Sequence, residues 1–426
     1  MLALWMSFLL VVLFSTSAKL IVGDGQYLNM LALFAVVTHV VLSIPILMIQ
    51  FKEYRKIIVI GFLLRVATMF WDMFARGIAM VPHAGMDDYG YMMGAVDVGK
   101  DLSLLGVSLY GGLYPKTMGL LVYFTGAGEL FVHYLNVLFG ISTVLLIYRS
   151  LQKLNISEKA MHWTVIIAAL FPQNIFFSGT TLREAWITFL VACSMYQFIK
   201  WCQNGNLFNA IASTFLICWS AAYHSGVVFI LFGYLFGYLF YKREDKKLNF
   251  SKQTVAMFML FLLLGIVTYY KFGDVILGNK FGNVEDLELE TIYGRTEFSA
   301  GDSGYLQGLE VNSFSTFMLY APIKILYFIA SPMPYNWRGL TDMIAFGLDA
   351  VFYIWTLWYF AKHYRLITSK YGMMTALMIS IVLVLFVFGV STGNSGTAIR
   401  HRHKIFPLLA LVCAAIIETR QSTTKK

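Results

Sequence analysis

The chain is predicted to be an all-α polytopic membrane protein, on three observations. Of its 426 residues 58% are hydrophobic and only 13% charged, with a mean hydropathy of +0.68, an apolar share that the core of a soluble domain does not absorb. Apolar runs of roughly 17–25 residues recur from end to end, the length that crosses a hydrocarbon core about 30 Å thick. The short loops between these runs carry clustered Lys and Arg, as loops kept in the cytoplasm do.

Taken in order, the runs predict about twelve spanning helices. The first lies at 1–18; it has no basic leading segment and no small-residue cleavage motif before Lys19, so it reads as a retained helix rather than a signal peptide. Spans follow at 28–51, 57–75, 130–148, 161–177, 184–200, 207–222, 226–241, 254–270, 342–361, 372–391 and 404–419. Two apolar stretches are left out of that count. Phe314–Ile329 is predicted to be re-entrant or interfacial, anchored by Lys324 and stopped by Pro332-Met333-Pro334, because counting it as a span would put the basic stretch from Lys362 to Lys370 outside. Residues 91–128, broken by Lys100, Asp101, Gly111, Gly112, Pro115 and Lys116, suit a surface-lying helix followed by a dipping loop.

Orientation follows from the charged loops. Lys52 to Lys56, Arg149 to Lys159, Lys242 to Lys247, Lys362 to Lys370 and the tail from Arg420 are basic and expected inside, which puts both termini in the cytoplasm. Parity then puts the loops at about 76–129 and 271–341 on the outer face. The stretch 271–315 holds eight acids (Asp274, Glu285, Asp286, Glu288, Glu290, Glu297, Asp302, Glu310) against three bases, which agrees. No repeat or low-complexity tract divides the chain, so residues 1–426 are read as one integral membrane domain. The net charge of +9 is explained by this loop pattern and does not call for a nucleic-acid partner. Cys193, Cys202, Cys218 and Cys413 fall in or beside apolar runs without paired spacing, so neither a disulfide framework nor a metal site is read from them.

The outer loops concentrate the unusual residues. Asp87 and Asp88 stand side by side beyond an apolar run, where adjacent carboxylates are costly unless they face water, a cation or a substrate. With them come His83, Lys116, Glu129, Arg183, Glu184, His224 and the run Arg400-His401-Arg402-His403-Lys404. Carboxylates that take a proton beside cations that hold an anion suit chemistry on a phosphate-bearing substrate: the acid deprotonates an acceptor hydroxyl and the cation neutralises a leaving phosphate. Ser178-Gly179-Thr180-Thr181 ahead of Arg183 offers hydroxyls and N–H groups at a helix start, so Arg183 is expected to contact phosphate. Arg400 and Arg402 are expected to do the same, an extended loop putting both on one side and a helix spreading them. Within the spans, Arg65 and Asp72 stand two turns apart on one face and read as a structural polar stripe. Glu129 either caps its helix or helps bind an acceptor, Trp337 and Tyr335 could stack on a sugar ring or line a lipid groove, and His83 and His224 read as polar loop residues. Most of the other aromatics form interface belts.

The stretch Met86-Asp87-Asp88-Tyr89-Gly90-Tyr91 resembles the acidic-pair signature of the GT-C glycosyltransferases, polytopic enzymes that take sugars from polyprenyl-phosphate carriers at the outer or lumenal face. Similar to bacterial members are Phe171-Pro172-Gln173-Asn174-Ile175-Phe176-Phe177-Ser178 leading to Leu182-Arg183-Glu184, Pro332-Met333-Pro334-Tyr335-Asn336-Trp337, and Asn394 to Arg402 before the last span. The resemblance implies an inverting transferase in a bacterial cytoplasmic membrane. Asp87 would be the general base, and Asp88 would orient the acceptor or hold a divalent cation such as Mg²⁺ or Mn²⁺. Arg183, Arg400, Arg402 and Lys116 would bind the donor phosphate, and Glu129, Glu184, Tyr91, His401 and Trp337 would contact substrate. Its partners would be membrane lipids, a lipid-linked sugar and a glycan acceptor. Wzy-type polysaccharide polymerases share the many-span plan and use outer-loop arginines, so the terminal Arg-His-Arg suits them as well. A transporter would call for matching halves, which the sequence lacks; a membrane acyltransferase would call for a better-supported histidine than His224 beside Ser225.

Overall fold

A computed structural model describes residues 1–23, 25–277, 303–309, 311 and 313–424. The acid-rich stretch from Glu285 to Asp302 lies outside the described residues. Among the described residues, apart from a hairpin of two short strands, β1 (Tyr241–Lys242) with β2 (Lys247–Leu248), the regular structure is helical, as expected. Among the described residues six helices are long and apolar enough to cross a membrane, or seven when one bent pair counts as a span; shorter apolar helices lie at Leu207–Tyr223, Ser225–Phe240, Lys252–Leu263 and Phe314–Ala330. Many large apolar side chains point outward, among them Leu10, Phe34, Val41 and Phe215. A surface of that kind suits lipid rather than water.

The chain divides into two compact units. The first comprises Met1–Gln152 and Ser157–Cys193. It holds α1 (Leu2–Val22), α2 (Gln26–Gln50), α3 (Arg55–Phe74), α4 (Asp87–Lys100), α5 (Leu113–Thr125), α6 (Glu129–Lys153), α7 (Glu158–Leu170), α8 (Pro172–Gly179) and the start of α9 (Glu184–Asn204). Helix α6, mostly apolar, is buried round its circumference from Leu130 to Tyr148, which makes it the axis of this unit. Residues 91–128 are not a helix and a dipping loop but a pair of packed helices. Gly119 on α5 lets them close up: a Cβ there would lie 2.5 Å from Val98 on α4.

The span expected at 161–177 is broken. Phe171 leaves helical geometry, Pro172 opens α8, and the two pieces meet at 40°. Pro172 has no N–H to give the carbonyl of Ala168, and Arg65 fills the gap. Its Nη1 donates to the carbonyls of Ala169 and Gly61 at 2.7 Å, its Nη2 reaches Ala168 at 3.4 Å, and Asn174 Nδ2 also donates to Ala168 at 3.0 Å. Arg65 is thus structural, as its place on α3 suggested, but its partner is a helix break rather than Asp72.

The second unit comprises Lys153–Ile156 and Ser194–Lys426. It contains the rest of α9, α10 (Leu207–Tyr223), α11 (Ile230–Phe240), α12 (Lys252–Leu277), α13 (Phe314–Ala330), α14 (Leu340–Lys362), α15 (Tyr364–Lys370), α16 (Met374–Ser391), α17 (Ser395–His403) and α18 (Phe406–Thr424). Helix α13 begins with a reciprocal Ser313–Thr316 cap and runs 17 residues, short of the roughly 20 a span needs. Lys324 is not the surface anchor expected of it but is buried. Helix α14 widens into a π turn at Ala345–Ala350, which carries Asp349.

Helices α11 and α16 touch backbone to backbone at Gly233, where a Cβ would lie 2.2 Å from the Ala376 carbonyl and 2.1 Å from Ser380 Oγ. Ser380 Oγ in turn donates to the Ile230 carbonyl at 2.9 Å. Gly233→Ala is therefore expected to force the helices apart and destabilise the protein by about 1–3 kcal/mol. A lowered midpoint of thermal unfolding in detergent checks this, and an unchanged midpoint would contradict the packing described.

Candidate active site in the first unit

Asp87 and Asp88 open α4 and form its acidic first turn, where carboxylates oppose the helix dipole favourably. Successive residues on a helix point about a quarter-turn or more apart, so the pair is split. Asp87 is half-buried and accepts a hydrogen bond from the Tyr110 hydroxyl. Asp88 is fully buried and accepts from Arg76 Nη2 at 2.8 Å and from the Tyr89 backbone N–H at 2.7 Å, while its Oδ2 has no hydrogen-bond partner among the described residues.

Arg76 is the hub of this corner. Its other terminal nitrogen lies 3.6 Å from Asp72 Oδ1 one turn back, and Asp72 Oδ2 lies 3.0 Å from His133 Nε2 on α6. The hydrogen bond to Asp88 raises the Arg76 guanidinium above its ordinary range despite partial burial, with Asp88, Asp72 and Glu129 adding attraction. Arg76 therefore stays charged and neutralises the buried carboxylate of Asp88, which a lone buried ion would need. Glu129 serves here as one more acid facing Arg76.

An aromatic wall joins this corner to Arg183. The Arg183 guanidinium lies 5.4 Å from the centre of the Tyr91 ring, the Tyr91 and Tyr110 rings pack at 5.4 Å with a 31° tilt, and Tyr110 donates to Asp87. Behind the wall, Asn136 on α6 donates to the Tyr114 hydroxyl and to the carbonyls of Thr180 and Leu182, and Thr181 Oγ1 donates to the Asp88 carbonyl at 2.7 Å. These bonds pin the segment carrying Arg183 to the start of α4.

Ser178-Gly179-Thr180-Thr181 does not form the open phosphate cradle expected of it. Ser178 and Gly179 end α8, and the hydroxyls of Ser178, Thr180 and Thr181 donate to the carbonyls of Asn174, Phe176 and Asp88. Local hydroxyl-to-carbonyl bonding is the ordinary fate of Ser and Thr at a helix end. Arg183 stays half-exposed, whereas Glu184 is buried at the start of α9. Lys116 points to the 102–106 turn, where its ammonium donates to the Leu105 carbonyl at 2.7 Å.

The remaining expected residues belong to the second unit. Residues 395–403 are helical, not extended, so Arg400 and Arg402 diverge. Arg402 is fully buried and every one of its terminal nitrogens is engaged: Nε and Nη2 with Asp349, Nη1 with the carbonyls of Phe328, Ile329 and Ser331. It is a clamp between α13, α14 and α17, which corrects the expectation that it binds phosphate. Arg400 is half-exposed. The His401 ring lies 4.7 Å from His224 and 4.6 Å from Phe388, over which the buried Lys404 also sits. Trp337 Nε1 donates to the Pro332 carbonyl at 3.0 Å and its ring meets Phe346 edge-on, so it closes the turn after α13.

The sequence reading missed Arg76, Tyr110 and His133. Arg76 had a signal, since it follows Asp72 by one helical turn. His133 had a weaker one, a polar ring four residues after Glu129 in an otherwise apolar helix. Tyr110 had none. Among the described residues no group of three or more His, Cys, Asp and Glu converges as a metal site. Asp88 Oδ1 is held by Arg76 and Asp87 Oδ1 by the Tyr110 hydroxyl, so the two carboxylates are engaged by different partners. No protein-family model matches the chain, and no curated protein or solved structure is significantly similar to it.

Proposed function

We propose that the chain is a GT-C-type glycosyltransferase that moves a sugar from a polyprenyl-phosphate-linked donor to an envelope polysaccharide or lipid-linked glycan. In this reading it crosses a bacterial cytoplasmic membrane about twelve times, with both termini in the cytoplasm and the acidic pair on the outer face. The observation that carries the proposal is the division of labour at the start of α4. Asp88 is neutralised by Arg76, while Asp87 remains at the surface of the site, one aromatic wall from Arg183.

The chemistry is a single inverting displacement. The acceptor hydroxyl oxygen bonds to the anomeric carbon as that carbon's bond to the phosphate oxygen breaks. The electron pair leaves with the polyprenyl phosphate, and the hydroxyl proton passes to the Asp87 carboxylate. Arg183 neutralises the charge that gathers on the departing phosphate. Tyr110, which is exposed, supplies a flat face on which a sugar ring can rest, while the buried Tyr91 holds Tyr110 and Arg183 in place.

The test is reconstitution of the purified chain in lipid with candidate polyprenyl-phosphate sugars, followed by analysis of product size and anomeric configuration. Transfer with inversion supports the reading. No transfer from any lipid-linked donor, or a retained configuration, removes it. A further expected result concerns Arg183→Ala, which should raise the apparent KM for the lipid-linked donor about tenfold or more while leaving that for the acceptor nearly unchanged. Equal effects on both substrates would count against a phosphate role.

A further inference from the structure

The second unit contains a cavity of about 360 Å³ whose lining includes Lys153, Arg243, Lys246 and Lys370 and no carboxylate. These four cations come from three separate stretches: the end of α6, the β1–β2 hairpin turn and the end of α15. Each is held differently. The Arg243 guanidinium lies 5.6 Å from the Trp201 ring centre, and Lys370 pairs with Glu418 at 2.7 Å. Lys153 and Lys246 have no acid partner among the described residues. Lys246 and another lining residue, Asn155, have left-handed backbones, with φ of 53° and 51°. That conformation is ordinary for asparagine but uncommon for lysine. Here Lys246 donates its N–H to the Arg243 carbonyl and accepts from Gly372 N–H, both at 3.3 Å.

A general bias toward basic loops would be met by Lys and Arg anywhere in those loops. It does not require four of them round one hollow, where Glu418 offsets Lys370 and the other three like charges repel. A bound anion removes that repulsion, and a phosphate offers several oxygens to separate ammonium and guanidinium groups at once. The volume is also within the usual range of small-ligand sites. We propose that this cavity binds a phosphate group, carried either by an anionic lipid headgroup or by a soluble phosphate compound. The inference is independent of the glycosyl-transfer reading, since it uses none of the residues assigned to that site.

The test uses the full chain in two settings. In nanodiscs of phosphatidylcholine with a minority of phosphatidylglycerol, native mass spectrometry counts the anionic lipids retained. In phosphatidylcholine-only nanodiscs, inorganic pyrophosphate is titrated calorimetrically. Wild-type protein is expected to bind at least one probe saturably, and the double variant Lys153→Gln/Lys246→Gln to bind it about tenfold more weakly or less. Lys252→Gln, an exposed cation outside the cavity, should bind as wild type does. Retention of phosphatidylglycerol alone identifies a headgroup site; pyrophosphate binding alone identifies a soluble ligand. Binding of neither probe, or equal loss in the Lys252 variant, overturns the proposal. Should the double variant fail to fold, Lys246→Gln alone carries the same comparison.

Discussion

Asp87→Asn is expected to lower sugar transfer by about 10²–10⁴-fold, the usual worth of a general base, while expression and thermal stability stay near wild type. Asparagine keeps the shape of the side chain and an oxygen that can accept from the Tyr110 hydroxyl, so the start of α4 has no reason to move. What it loses is the ability to take a proton. The neighbouring position provides the contrast. Asp88 is buried and paired with Arg76, so Asp88→Asn removes a charge partner from a cation that still faces Asp72. Its effect should appear first in stability and only through that in rate. Steady-state rates with a lipid-linked donor, measured beside thermal unfolding for both variants, separate the two roles. Full activity in Asp87→Asn would remove Asp87 as the base, and with it the observation on which the proposed function stands.

The helical, apolar character of the chain was legible because it depends on composition and run length, which need no tertiary information. The number of spans was not: among the described residues six helices, or seven with the bent pair, are long and apolar enough to cross, against about twelve expected. The errors fall where a local signal was overridden or ambiguous. Residues 161–177 are largely apolar, yet Pro172 breaks the run, and the carbonyls left at the break take donors from Asn174 nearby and from Arg65, far away in sequence. Arg402 was expected to bind phosphate beside Arg400; Asp349, more than fifty residues earlier, draws it into a buried pair instead.

The candidate site shows the same division. Asp87, Asp88 and Arg183 were legible as charges beside apolar runs. What turns them into an arrangement is Tyr91, Tyr110, Asn136 and Arg76, which act through contacts between different helices. Aromatic and amide residues are common enough in such chains that their spacing alone carried no warning. The polar hydroxyls of Ser178, Thr180 and Thr181 misled for the opposite reason: their pattern fits a phosphate cradle and a helix end equally well, and nearby carbonyls claimed them.

Arg402→Ala should be the most destabilising single substitution among the charged residues considered, by about 3–5 kcal/mol, the range for removing one partner of a buried ion pair. The change strands the Asp349 carboxylate, which is only 2% exposed, and leaves the carbonyls of Phe328, Ile329 and Ser331 without the donor they share. Those carbonyls belong to the end of α13 and the turn after it, so the loss should loosen that helix from α14 and α17 together. Arg402→Lys should recover little, because one ammonium cannot reproduce a fork that serves a carboxylate on one side and three carbonyls on the other. Replacing the pair as a whole, Arg402→Met with Asp349→Leu, should cost less than Arg402→Ala alone, since no buried charge is left over. Thermal unfolding of the three variants in detergent orders them. A donor-phosphate role for Arg402 predicts something else: Arg402→Ala would unfold where wild type does and fail only in donor use, and that outcome would return the residue to the binding site.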